Sequence, residues 1–195
     1  MTPAVFLDRD GVVVEECGYL RRAEDVRLLP GAAQAIARLN RAGIPVVVVT
    51  NQSAVARGMC SEADVQTIHG VLGRMLEAAG ATVQGFYYCP HHPTEGTGAY
   101  RRACTCRKPE PGLLLQAADD LALDLKRSMM VGDKLSDLEA GWHAGCRSLL
   151  VLTGYGEATQ RELAAGARQP VDVAPDLDRA VAWILGRSMP VEAGA

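Results

Sequence analysis

Phe6-Leu7-Asp8-Arg9-Asp10-Gly11 closes an apolar run that begins at Ala4. Residues two apart on an extended strand share a side. Asp8 and Asp10 are therefore expected to face one small volume beyond the strand end, where Gly11 lets the chain turn sharply. Open α/β sheets bind ligands at the carboxyl edge of their strands, and two like charges held close need a cation or a shared proton. Taken alone, D-R-D-G also reads as a polar turn, so the surrounding chain has to decide.

Outward from that stretch, short apolar runs alternate with helical patterns. This is the signature of repeated strand-helix units around a parallel sheet buried on both faces. Strands are expected over 4–7, 45–49, 85–88, 128–131, 148–152 and, weakly, 171–173. Helices are expected after Pro30-Gly31, from Ser61, at Pro111, after Lys134, near Glu157 and over 177–185. Ser61 with Asp64 three residues on makes a good N-cap, and Pro111 suits a first helical turn because its missing N–H has no partner there. The class is α/β: a Rossmann-like three-layer sandwich with a mostly parallel sheet, in one domain over 1–187. Two segments break the alternation. Residues 11–30 are expected to form a short hairpin-like flap after the first strand. Residues 89–111 are dense in Cys, His, Pro, Gly and Arg and cannot supply an apolar core. Neither is long enough to fold as a large cap, and 188–195 is expected to fray.

Composition narrows the function. With 48% hydrophobic and 22% charged residues the chain lies far from the disordered class. Seventeen of the 20 basic residues are Arg, yet 23 acids leave a net charge of −3 and there is no long basic run, which disfavours a general nucleic-acid binder. The longest apolar stretch, 44–49, contains a Pro and falls well short of the ~20 residues that span a bilayer. The N-terminus lacks the basic start and long apolar stretch of a secretory signal. A cytoplasmic monomer with no membrane or nucleic-acid partner is expected.

Two further strand ends carry chemistry. Val49-Thr50-Asn51-Gln52-Ser53 places four hydrogen-bonding side chains after an apolar run, a turn able to grip an anion. Val131-Gly132-Asp133-Lys134-Leu135-Ser136-Asp137 places another carboxylate pair at the equivalent end of the fourth strand. Asp133 or Asp137 alone reads as a helix cap; three polar strand ends together read as a site. Separately, Cys89-Pro90-His91-His92-Pro93 is followed by Cys104-Thr105-Cys106. Three thiolates and one imidazole suit tetrahedral Zn²⁺ with no open position, hence a structural site. The C-x-H and C-x-C pairs are tighter than the usual spacing, so free buried cysteines are the alternative, and His91 and His92 compete as ligand. Arg107-Lys108-Pro109 follows directly and would hold two cations beside the first cluster.

These residues resemble the aspartate-nucleophile phosphatases of the haloacid dehalogenase superfamily, whose four motifs occur here in order: Asp8 with Asp10, Thr50, Lys108, and Gly132-Asp133 with Asp137. The resemblance implies that Asp8 is the nucleophile and Asp10 the general acid, then base. Thr50 and Lys108 would hold the phosphoryl oxygens, and Asp8, Asp133 and the Asp10 backbone carbonyl would bind Mg²⁺. Val12 stands where the family usually has Thr after D-x-D-G. C-P-H-H-P, C-x-C-R-K-P, V-T-N-Q-S and V-G-D-K-L-S-D resemble, within the superfamily, the heptose 1,7-bisphosphate 7-phosphatases, which use Mg²⁺ and a structural Zn²⁺. That resemblance implies Cys89, His91, Cys104 and Cys106 as zinc ligands. It also implies a substrate site of Glu16, Cys17, Gly18, Tyr19, Thr50, Asn51, Gln52, Ser53, Arg107, Lys108 and Lys134. Glu16-Cys17 departs from the Asp-His of some relatives and leaves the preferred anomer open. Histidinol-phosphate phosphatase, with similar motifs, is the nearest rival. A catalytically silent zinc-stabilised binding module is the rival of another class, and a phosphatase of nucleic-acid ends is disfavoured by the acidic balance.

Overall fold

A computed structural model of the chain describes residues 1–166 and 171–187. Six strands form one sheet: β1 (Val5–Leu7), β2 (Val46–Asn51), β3 (Gly85–Cys89), β4 (Met129–Gly132), β5 (Arg147–Val151) and β6 (Asp172–Ala174). Their order is β3-β2-β1-β4-β5-β6 and each neighbouring pair is parallel. All six lie within a residue or two of the expected positions. The reason is physical: a parallel strand covered on both faces must be apolar almost throughout, and β1 and β4 are buried at every residue.

The helices are α1 (Ala32–Arg41), α2 (Ser53–Ala56), α3 (Glu62–Ala78), α4 (Gly112–Asp120), α5 (Leu135–His143), α6 (Gly156–Ala165) and α7 (Leu177–Gly186). Val5 and Leu7 of β1 and Met129 and Val131 of β4 share a core with Ile36 and Leu39 of α1, Ile68 and Leu72 of α3, and Val181 and Ile184 of α7. Phe6 and Met130, one step along each strand, pack on the opposite side with Leu113 and Leu114 of α4 and Ala140 of α5. The period of two along β1 thus feeds two cores and makes three layers. Each large side chain so buried contributes about 1.5–3 kcal/mol relative to exposure.

Ser61 caps α3 in a capping box: its Oγ accepts from the Asp64 N–H at 3.2 Å, and Asp64 accepts from the Ser61 N–H at 2.8 Å. Pro111 proves to be the cap of α4 and not part of its first turn. The next residue, Gly112, donates its N–H to the Thr105 carbonyl at 2.9 Å, and a Cβ there would stand 2.3 Å from that oxygen. The start of the helix is tied to the cysteine loop. Residues 11–30 double back as expected, with Val14 bridged antiparallel to Leu28 and Val12, Val13, Val14, Leu20 and Val26 buried beneath. Among the described residues no helix is long and apolar enough to cross a membrane. The expected fraying of 188–195 lies outside the described residues.

Candidate active site

In the observed order the chain runs from β1 outward to β2 and β3 on one side and to β4, β5 and β6 on the other, so the topological switch point lies beside β1. Asp8 leaves β1 there, its N–H donating to the Val131 carbonyl at 3.0 Å, and only 4% of it is exposed. Lys108 reaches the same place from the end of the cysteine loop. Its Nζ donates to Asp8 Oδ1 and to the Val49 carbonyl at 2.7 and 2.8 Å and pairs with Asp137 Oδ1 at 2.7 Å. Three acceptors match the three N–H donors of an ammonium. Burial opposes the charge on Lys108, but Asp137 and Asp8 outweigh it and raise the pKa. Asn51 fixes the main chain of that lysine, donating to its carbonyl and accepting from its N–H, both at 3.0 Å.

Asp133 follows β4 at the other side of Asp8. Its Oδ2 accepts from the Tyr155 N–H at 2.8 Å, while its Oδ1 is buried and has no hydrogen-bond partner. Asp8, Asp133 and Asp137 each offer an oxygen within 4.8 Å of the others. Burial, followed by the charges of Asp8 and Asp137, pushes the Asp133 pKa up to about 8. With all three ionised their charge exceeds that of Lys108, the ammonium bonded to two of them, and the orphaned oxygen marks where a hard cation belongs. Two glycines make the space: a Cβ on Gly11, at φ +84°, would lie 2.3 Å from Asp133 Oδ2, and one on Gly154 2.2 Å. The all-oxygen donor set fits Mg²⁺. Asp137, read in the sequence as part of the fourth motif, joins this cluster as the second partner of Lys108.

The side chain of Asp10 is directed elsewhere. Arg9 NH2 donates to both its oxygens at 3.0 and 2.9 Å, and Gln52 Nε2 donates at 3.0 Å. Gln52 also donates to Thr50 Oγ1 at 2.8 Å and accepts from Arg9 at 2.9 Å, so its amide is committed to protein partners. Arg9, fully buried, was not among the residues singled out from the sequence.

Over this base opens a cleft of about 400 Å³ whose lining includes Asp10, Glu16, Gly18, Tyr19, Asn51, Gln52, Ser53, Arg107, Lys108 and Lys134. Thr50 is buried below it; Cys17 is exposed and is not part of the lining. Lys134 pairs with Glu16 at 2.9 Å and sits 4.6 Å from the Tyr155 ring centroid. Burial again opposes its charge, but Asp133 and Asp8 and the bond to Glu16 hold it protonated. Arg107 donates to the His91 carbonyl at 3.0 Å, so one wall of the cleft hangs from the cysteine loop.

In that loop the Sγ atoms of Cys89, Cys104 and Cys106 are 3.1–3.5 Å apart, and His91 Nδ1 lies 3.5–3.6 Å from Cys106 and Cys89. A tetrahedron with Zn–S of about 2.3 Å and Zn–N of about 2.0 Å has edges of roughly 3.5–3.8 Å. The set fits zinc. Burial and the neighbouring Cys106 push the Cys89 thiol up, so a metal must displace its proton. His92 is turned away: its Nδ1 accepts from the Glu95 N–H at 2.9 Å.

Comparison with known proteins agrees with this geometry. The family model described as haloacid dehalogenase-like hydrolase matches residues 5–67, and that described as HAD-hydrolase-like matches 105–180. The chain is 46% identical over 186 residues to the D-glycero-D-manno-heptose-1,7-bisphosphate 7-phosphatase of Thermosynechococcus vestitus, covering 93% of this chain and 95% of that one. It is 41% identical over 164 residues to the D-glycero-beta-D-manno-heptose-1,7-bisphosphate 7-phosphatase of Escherichia coli K12, covering 84% and 86%. The crystal structure of D,D-heptose 1,7-bisphosphate phosphatase from B. bronchiseptica, complexed with magnesium and phosphate, superposes with a TM-score of 0.84 at 38% identity, covering 96% of this chain and 100% of that one. With that likeness extending over nearly the whole chain, the protein belongs to the haloacid dehalogenase-like hydrolases and is similar to the heptose-bisphosphate phosphatases among them.

Proposed function

We propose that the chain removes the 7-phosphate of D-glycero-D-manno-heptose 1,7-bisphosphate through an aspartyl-phosphate on Asp8. The observation that carries this reading is the buried Asp8–Asp133–Asp137 cluster, with its orphaned oxygen, joined through Lys108 to a cleft walled by Arg107 and Lys134. An Asp8 oxygen attacks phosphorus, and the bond from phosphorus to the sugar oxygen breaks as Asp10 gives that oxygen a proton. Asp10 then takes a proton from water, whose oxygen displaces Asp8 and releases inorganic phosphate. Lys108, giving up the N–H that otherwise goes to Asp8, and Thr50 hold the phosphoryl oxygens; Gln52 donates to Thr50 Oγ1 and leaves its hydroxyl hydrogen for the phosphate. Asp8, Asp133 and the Asp10 main-chain carbonyl would hold Mg²⁺, which when bound supplies the charge neutralisation that lets a carboxylate approach a phosphate dianion. Residues 1–187 would act as one domain and as a monomer. The product would enter nucleotide-activated heptose synthesis for lipopolysaccharide in the cytoplasm.

The second phosphate gives Arg107 and Lys134 a task. A hydrogen bond to a charged group contributes about 1.5–3 kcal/mol, or roughly 10–150-fold in rate or affinity. With Mg²⁺ present, kcat/KM for the bisphosphate should exceed that for heptose 7-phosphate by roughly that factor, and should exceed that for histidinol phosphate too. The assay is phosphate release across both bisphosphate anomers, the monophosphate and histidinol phosphate. Histidinol phosphate turned over as fast as the bisphosphate would overturn the substrate assignment, and no Mg²⁺-dependent release from any of them would overturn the enzymatic one.

We also infer that Cys89, His91, Cys104 and Cys106 hold a structural Zn²⁺. Cys106→Ser should lower zinc content and melting temperature together. Losing even about 3 kcal/mol of the roughly 10–16 kcal/mol apparent for structural zinc in small domains lowers Tm by roughly 6–12 °C at this size. Unchanged zinc content by atomic absorption would dismiss the ligand set.

A further inference from the structure

α3 turns a face of Val65, Ile68, Leu72 and Leu76 to the core, and one polar residue, His69, is buried among them. Its ring stacks on Phe86 at 4.9 Å and meets Tyr88 edge-on at 5.6 Å. Its Nε2 lies 3.2 Å from NH1 of Arg9, 60 residues earlier in the chain. Arg9 has no exposed surface; its Nε and NH2 go to Asp10 and Gln52, whereas NH1 meets His69. A guanidinium only donates, so Nε2 is the acceptor and Nδ1 carries the hydrogen. Burial and then the charge of Arg9 lower the His69 pKa to about 3, which keeps the imidazole neutral and able to accept.

We infer that His69 is a positioning residue for the reaction: its Nε2 anchors Arg9, and Arg9 with Gln52 fixes the direction in which Asp10 presents its carboxylate to the cleft. The inference rests on the reading of Asp10 as proton donor and acceptor. Without an acceptor at 69, NH1 is left buried and unpaired, a state costly enough that the guanidinium shifts to find a new partner. Asp10, gripped by the same guanidinium, shifts with it. A misplacement of about 1 Å in a reacting group can cost on the order of 100-fold.

The test compares two substitutions in the full chain with Mg²⁺ and zinc in place. His69→Phe keeps a ring against Phe86 and Tyr88 but has no acceptor; His69→Gln keeps an acceptor and gives up the ring. His69→Phe should lower kcat by about 10-fold or more while KM stays within about 2-fold, and His69→Gln should remain within about 3-fold of the parent. A structural role alone would follow packing and favour Phe. His69→Leu, smaller and equally without an acceptor, serves if the Phe variant does not fold. Parental kcat in a folded Phe or Leu variant, an equal loss in Gln, or a loss confined to KM would overturn the inference. Asp10→Asn in the same assay separates the two readings. If it keeps full turnover, the acid–base assignment falls; if it is inactive while His69→Phe matches the parent, only the role of His69 does.

Discussion

Asp8→Asn should abolish phosphate release, by about 10⁴-fold or more, while the protein stays folded. An amide cannot form the acyl phosphate, and the two neighbouring carboxylates have other tasks in this reading: Asp133 holds the metal ion and Asp137 pairs with Lys108. The fold is expected to survive because Lys108 retains Asp137 at 2.7 Å and the Val49 carbonyl at 2.8 Å. Stability should in fact rise when no divalent ion is present. The Asp133 pKa is raised to about 8 by burial and by Asp8 and Asp137. Between the usual carboxylate value of about 4 and that pKa the folded state binds a proton the unfolded state has released, so stability falls as pH climbs through this window. Removing the charge of Asp8 relieves part of that fall. In magnesium-free buffer at pH 7 the variant should melt at or above the parent temperature, and the stabilisation given by added Mg²⁺ should shrink. Substantial residual turnover would remove Asp8 as nucleophile. A markedly lower melting temperature would instead show that Asp8 holds the site together through Lys108.

The strand ends were readable because their chemistry is local. Asp8, Asp10, Thr50 and Asp133 each follow an apolar run within a few residues, and the sheet brings those ends together once the strands are parallel. What the sequence conceals is the partner that lies far along the chain. Asn51 and Gln52 read as donors facing a ligand, but the Asn51 amide is closed on the main chain of Lys108, 57 residues away, and that of Gln52 on Arg9, Asp10 and Thr50. Arg9, in a strand-end turn, gives no local hint that its guanidinium folds inward against a histidine from α3. α2 is a single turn with no periodicity to detect. The cysteine loop shows both sides. Its ligand types were visible, yet the choice of His91 over His92 came from resemblance and is now supported by which ring nitrogen faces the three sulfurs.

Lys108→Met should damage the protein in the opposite order to Asp8→Asn, with stability failing alongside catalysis. The parent ammonium sits between two buried carboxylates and a carbonyl. Replacing it with a thioether of similar length leaves Asp8 and Asp137 facing each other without a counter-charge, and breaking a buried pair in this way costs about 3–5 kcal/mol. At this chain length that lowers Tm by roughly 6–20 °C. Turnover should drop by about 10³-fold or more, since the same cation offsets the charge of the arriving phosphate. Lys108→Arg separates charge from shape: a planar guanidinium cannot meet three acceptors disposed around a point, so it should restore stability in part and rate hardly at all. Because Met leaves the cluster more negative, added Mg²⁺ should raise the melting temperature of Lys108→Met by more than it raises the parent's. Melts with and without Mg²⁺, together with phosphate release, read all three effects. If Lys108→Met melts lower yet keeps kcat within about 10-fold of the parent, the lysine only holds the two carboxylates in place. The phosphoryl oxygens would then have to be held by Thr50 and the metal ion alone.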